Sequence, residues 1–130
     1  MISNKKILSL LLSIVIFHFL ALANFWYWKF LWLDSVMHFL GGFWLAMVFI
    51  FLISKFEIKL PIFFNFIFGI SFAALIGILW EFYEFLCDIF LKKGQILQLG
   101  AADTISDLFF DILGAMIFLI IYRFMENKRN

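Results

Sequence analysis

The chain has 130 residues, of which 66% are hydrophobic and only 15% are charged. A soluble domain is usually closer to half apolar, so this composition excludes an ordinary water-soluble protein. The formal net charge of +1 provides no basic field for a nucleic acid partner. A single cysteine, Cys87, excludes an intramolecular disulfide and a metal knuckle built from several cysteines.

Four apolar stretches are long enough to cross a lipid bilayer, which takes roughly 20 residues of helix. They run over residues 6–24, 34–54, 61–91 and 103–123. The pattern predicts an all-α integral membrane four-helix bundle, with residues 1–130 forming a single transmembrane domain. Gly94 and Gly100 mark the long loop, which covers residues 92–102.

The first stretch has two interpretations. Lys5, Lys6 and the small residues of Ala21-Leu22-Ala23 are also typical of a cleaved secretory signal. His18 inside the run and the aromatic residues after it favour a retained membrane helix. We expect His18 to form a lone hydrogen bond between helices.

Lysine and arginine predict the orientation, because they concentrate in short cytoplasmic loops. With both termini in the cytoplasm, seven of these residues lie inside, whereas Lys29, Lys92 and Lys93 lie outside. Most acidic residues then fall on the outer half. The sequence therefore predicts a multi-pass protein of the plasma (inner) membrane.

Acidic residues and one histidine reach a common level on three of the predicted helices. They are Asp34, His38, Glu81, Glu84, Asp103, Asp107 and Asp111. His38 follows Asp34 on the same helix face, since residues four apart are neighbours. Asp111 lies on the order of 12 Å below the outer boundary, at 1.5 Å per residue.

Lipid is a poor solvent for these groups. A carboxylate at membrane depth costs about 2.5–3.5 kcal/mol even on the most lenient scale, so the side chains should point into the bundle. There they repel one another unless protons, a histidinium or a metal ion offset their charge. One imidazole and several carboxylates suit a divalent ion such as Zn²⁺, Mn²⁺, Fe²⁺ or Mg²⁺. No organic cofactor and no catalytic residue is indicated.

Several of the polar residues also have a simpler structural interpretation. Asp34 and Asp103 also suit N-terminal helix caps. Glu84 and Asp88 also suit solvated surface positions, and His38 suits a hydrogen bond between helices. The two deepest aspartates are the hardest to explain in these ways.

Small residues predict where the helices approach closely. Gly69, Ala73 and Gly77 recur every four residues on the third helix, a spacing that lets a neighbouring backbone come near. Gly42 and Gly114 follow the polar residues of the second and fourth helices. We expect these three helices to close up beside the acidic cluster.

Three motifs follow one another along the chain. They are Asp34-x3-His38 with Gly41-Gly42, then Trp80-Glu81-x2-Glu84, then Asp103-Thr104-x2-Asp107-x3-Asp111-x2-Gly114. This order resembles the YjdF-like inner-membrane proteins, a family of small multi-helix proteins without established function. More distantly, it resembles the VanZ-like family, known from glycopeptide resistance. Neither resemblance implies a reaction.

Three functions remain open. The favoured one is a metal-binding or protonatable site at the outer face. If the protein is an enzyme, the expected reaction class is metal-assisted hydrolysis or transfer on an envelope or lipid-linked substrate. The second is transport of protons or a divalent cation. It is disfavoured because residues 46–53 and 115–121 carry no ionisable group, although a homo-oligomer would supply a path. The third is a structural or assembly role, in which the cluster fixes helix packing.

Overall fold

A computed structural model describes residues 2–91 and 96–128. Within those ranges the chain forms helices α1 (Asn4–Ala23), α2 (Trp26–Lys29), α3 (Trp32–Lys55), α4 (Ile62–Leu91) and α5 (Ala101–Asn127), and no strand. The four long helices are each long and apolar enough to cross a membrane. The predicted all-α membrane architecture is therefore confirmed.

The helix ends differ from the ends of the apolar stretches. The helix α3 begins at Trp32, and α5 begins at Ala101 and continues to Asn127. Hydropathy marks only the lipid-facing part of a helix, whereas hydrogen bonding continues into its polar turns. In the last turn of α5, Arg123 forms a salt bridge of 2.8 Å with Glu126.

Sequence patterns did not predict the structure of two segments between the long helices. The short helix α2 follows Phe25, whose positive φ of 58° turns the chain sharply after α1. The predicted loop is described from Ile96 onward, so Lys92, Lys93 and Gly94 lie outside the described residues. Arg129, one of the seven basic residues predicted on the inner side, lies outside them as well.

Helices α3 and α5 form the closest pair, because glycines face backbone at their crossing. A Cβ atom on Gly42 would overlap the backbone carbonyl of Asp111, and one on Gly114 would overlap that of Phe39. On α4, Ala73 is fully buried, and a Cβ atom on Gly69 would lie 3.0 Å from the side chain of Leu119. The predicted close packing of these three helices is confirmed.

The apolar core fills the half of the bundle that lies away from the acidic residues. It consists of Ala46, Met47, Ile50, Ala73, Ala115, Phe118 and Leu119. Helix α1 packs beside α3, where the Trp44 indole donates to the Ile7 carbonyl at 2.9 Å. Polar side chains are thereby concentrated at the opposite end of α3, α4 and α5.

Candidate metal site

His38 lies at the centre of the polar end and is only 6% exposed. Its Nδ1 atom lies 3.0 Å from Asp111 Oδ2 on α5, and its Nε2 atom lies 3.7 Å from Glu81 Oε1 on α4. An ionised carboxylate can only accept a hydrogen bond. When the imidazole is neutral, its proton therefore lies on Nδ1, which leaves the Nε2 lone pair facing Glu81.

Glycines create the space for this arrangement. Gly42 brings the α5 backbone against α3 at Asp111, and Gly77 leaves room for the carboxyl group of Asp111, which a Cβ atom at that position would overlap. The small residues predicted to pack helices therefore also shape the polar centre.

The carboxylates surround His38 in two groups. One group consists of His38, Asp34 and Asp107. The other consists of His38, Glu81 and Glu84. Within each group, one potential ligand atom from every residue lies within 4.8 Å of the others. The geometry is therefore able to hold a metal ion.

Three buried atoms of this cluster have no hydrogen-bond partner. They are His38 Nε2 on α3, Glu81 Oε1 on α4 and Asp107 Oδ2 on α5. In the part of the chain that the structure describes, the only other such atom is Asn65 Oδ1, near the opposite end of α4. Buried polar atoms are nearly always paired, and exceptions often mark an ion or a functional group.

The second carboxylate oxygen of Asp107 and that of Glu81 each accept a hydrogen bond from an uncharged donor. Ser35 donates to Asp107 Oδ1 at 3.0 Å, and Thr104 donates to Glu81 Oε2 at 2.7 Å. Gln98 also donates to Glu81 Oε2, at 3.1 Å. Sequence analysis missed these three donors, although Ser35 directly follows Asp34 and Thr104 lies inside a quoted motif.

Two acidic residues for which a solvated surface position was an alternative are both at least half-buried. Glu84 is only 8% exposed, and its Oε1 accepts from the Trp80 indole at 2.9 Å. Asp88 is half-buried and accepts from the backbone amides of Leu97 and Gln98. The surface interpretation is wrong because residues 97 and 98 lie against this end of α4.

Asp103 lies outside both groups of potential ligands. Its Oδ2 accepts from the Leu99 backbone amide at 3.1 Å, as expected of an acidic residue in the first turn of a helix. Asp34 is not the residue that begins its helix, because α3 starts at Trp32. It is half-buried and belongs to the group around His38.

A pocket adjoins the cluster between α1, α2, α3 and α4. It is lined by Asp34 and Glu84 together with His18, Tyr27 and Trp28, and its water-accessible volume is about 30 Å³. His18 Nδ1 shares a hydrogen bond of 2.7 Å with the Tyr27 hydroxyl, so its partner lies on the short helix α2. Burial raises the pKa of Tyr27, and the nearby carboxylates raise it further; the hydroxyl therefore stays protonated.

Fold and site together define a multi-pass α-helical membrane protein with a buried carboxylate–histidine cluster. The chain belongs to the family described as predicted membrane protein (DUF2238), which matches residues 2–128. No curated protein and no solved structure matches the chain significantly. The family assignment confirms a membrane protein, and the narrower YjdF-like and VanZ-like resemblances stay predictions.

Proposed function

We propose that this protein binds a divalent metal ion at the cluster around His38. The observation that supports this proposal is the set of three unpartnered, buried atoms on three different helices, His38 Nε2, Glu81 Oε1 and Asp107 Oδ2. Glu81 and Asp107 belong to the two groups that share His38, and Asp34 and Glu84 are the remaining members of those groups.

Asp111 acts on this site through His38. Metal-binding histidines usually donate their second ring N–H to a carboxylate, which fixes the tautomer and strengthens the ligand nitrogen. The contact of 3.0 Å between His38 Nδ1 and Asp111 Oδ2 has this geometry. An imidazole among carboxylates favours Zn²⁺, Mn²⁺ or Fe²⁺ over Mg²⁺, which prefers oxygen ligands and water.

Charge also supports a cation. The buried or half-buried carboxylates of the cluster are those of Asp34, Glu81, Glu84, Asp107 and Asp111. Among the described residues, their salt-bridge partner is His38 alone, with no lysine or arginine. A divalent ion would offset part of the repulsion between these groups, which are held in a medium of low dielectric constant.

If the protein is an enzyme, the activity that this site favours is metal-assisted hydrolysis or transfer on a lipid-linked or envelope substrate. A bound ion would supply an activated water. Glu84 lines both the cluster and the pocket, so its carboxylate is placed to accept a proton from a group entering through the pocket. In this proposal residues 1–130 form one domain in the plasma membrane, with both termini in the cytoplasm and the pocket facing outward.

Transport through the bundle is less well supported. The half beyond His38 is occupied by the apolar core, including Met47, Ile50 and Leu119. Across the described part of this half, the packed core provides no polar route for an ion. The core therefore favours a site that exchanges its ion with one side only.

Elemental analysis of the purified protein tests the metal proposal. We expect bound metal in the wild type and in Glu57→Gln, which neutralises an exposed acid away from the cluster. Asp107→Asn should lose most of the metal, because an amide is a far weaker ligand than a carboxylate. A metal-free wild type, prepared without chelators and after incubation with each candidate ion, would contradict the proposal.

A further inference from the structure

Two acidic side chains line the pocket beside the cluster. Asp34 and Glu84 line it, and no lysine or arginine is among its lining residues. Glu84 uses Oε1 to accept from Trp80, and its other oxygen has no hydrogen-bond partner among the described residues. A side chain that is 8% exposed thus offers an unused acceptor at the pocket.

Aromatic residues also line the pocket. Tyr27 and Trp28 line the pocket together with His18, and the Trp28 indole is fixed by its hydrogen bond of 2.9 Å to the Ile96 carbonyl. Aromatic rings attract cations, so these residues, like the two acidic side chains, favour a positively charged group. An anionic phosphate would instead meet two carboxylates without a basic partner.

We infer that this pocket binds a primary ammonium group carried on an apolar chain, with the carboxylates of Asp34 and Glu84 as acceptors. The water-accessible volume of about 30 Å³ is room for roughly two water molecules. A primary ammonium fits that space, and its three N–H donors match two carboxylates and a ring or hydroxyl.

The remaining lining residues indicate what carries the ammonium. They are apolar, and include Leu22, Leu31 and Leu99, of which Leu31 and Leu99 are exposed. An alkyl chain leaving the pocket along these residues would stay out of water. The two sources of such a ligand are an aminophospholipid of the bilayer and a free long-chain amine.

This inference rests on the proposed function in one respect. The metal ion would take the three unpartnered atoms of His38, Glu81 and Asp107, and the two carboxylates on the pocket side would then be shared with the ligand. The carboxylates of Asp34 and Glu84 would lie between the ammonium and the ion and offset the repulsion between the two cations, and the ammonium would define the substrate class of the same site.

Calorimetric titration of the protein in phosphatidylcholine nanodiscs tests the inference, with octylamine and octanol as probes and empty nanodiscs as the blank. We expect saturable binding of octylamine and binding of octanol weaker by about tenfold or more, the usual size of a lost charge-assisted hydrogen bond. Asp34→Asn and Glu84→Gln should each weaken the binding of octylamine by a similar factor, whereas Glu57→Gln should leave it unchanged. Equal binding of octylamine and octanol by the wild type would overturn the inference without relying on any variant.

Two further measurements separate the outcomes. If an aminophospholipid is the ligand, phosphatidylethanolamine in the nanodiscs will compete with octylamine and lower its apparent affinity. If a free amine is the ligand, phosphatidylethanolamine will leave the affinity for octylamine unchanged. Metal content is measured on every sample. Bound metal without selective octylamine binding would overturn this inference alone, whereas selective octylamine binding to a metal-free protein would overturn the metal proposal alone.

Discussion

Gly42→Ala is expected to lower the free energy of unfolding by about 3 kcal/mol or more, at the upper end of the usual cost of overpacking. The new Cβ atom would overlap the backbone carbonyl of Asp111. Backbone cannot turn aside as a flexible side chain does, so α3 and α5 must separate. The measurement is unfolding in detergent, followed by circular dichroism.

The neighbouring glycine provides a matched control. A Cβ atom on Gly41 would lie 3.9 Å from Asp111 Oδ1, an ordinary van der Waals contact. Gly41→Ala should therefore keep wild-type stability or gain up to about 1 kcal/mol from the helix propensity of alanine. Equal effects of the two substitutions would contradict the close backbone contact between α3 and α5.

Asp107→Asn should change stability in a metal-dependent way. In the wild type, an ion at 100 times its dissociation constant raises the free energy of unfolding by about 2.7 kcal/mol. The variant should lose most of that increment. In chelator it should be at least as stable as the wild type, because removing one of several neighbouring carboxylates relieves repulsion while the asparagine oxygen still accepts from Ser35.

This comparison separates a metal site from a purely structural cluster. If the polar residues only fix helix packing, Asp107→Asn will lower stability equally with and without metal. Glu57→Gln serves as the control for loss of one negative charge, and it should retain the full metal-dependent increment. The measurement is chemical unfolding of all three proteins with and without chelator.

Physical constraints on charge explain why the convergence of the site residues was predictable. His38, Glu81 and Asp111 occur inside stretches that are otherwise apolar, and lipid excludes charged groups strongly. These residues therefore had to face one another, as they do at 3.0 and 3.7 Å. The long helices were predictable for a related reason, because backbone within the bilayer must satisfy its own hydrogen bonds.

The features that sequence analysis missed depend on irregular backbone. Gln98 reaches Glu81 only because Asp88 accepts from the backbone amides at residues 97 and 98. No hydropathy pattern encodes that fold-back. The short helix α2 likewise follows from a single left-handed residue, Phe25, which periodicity does not reveal. The pocket is formed by both segments, so its lining could not be assigned in advance.

X-ray absorption spectroscopy of the metal-loaded protein tests most directly whether His38 and the carboxylates share one ion. For zinc, we predict an imidazole nitrogen at about 2.0–2.1 Å together with carboxylate oxygens, and loss of the imidazole signal or of the metal itself in His38→Gln. An all-oxygen shell in the wild type, unchanged in His38→Gln, would contradict the account.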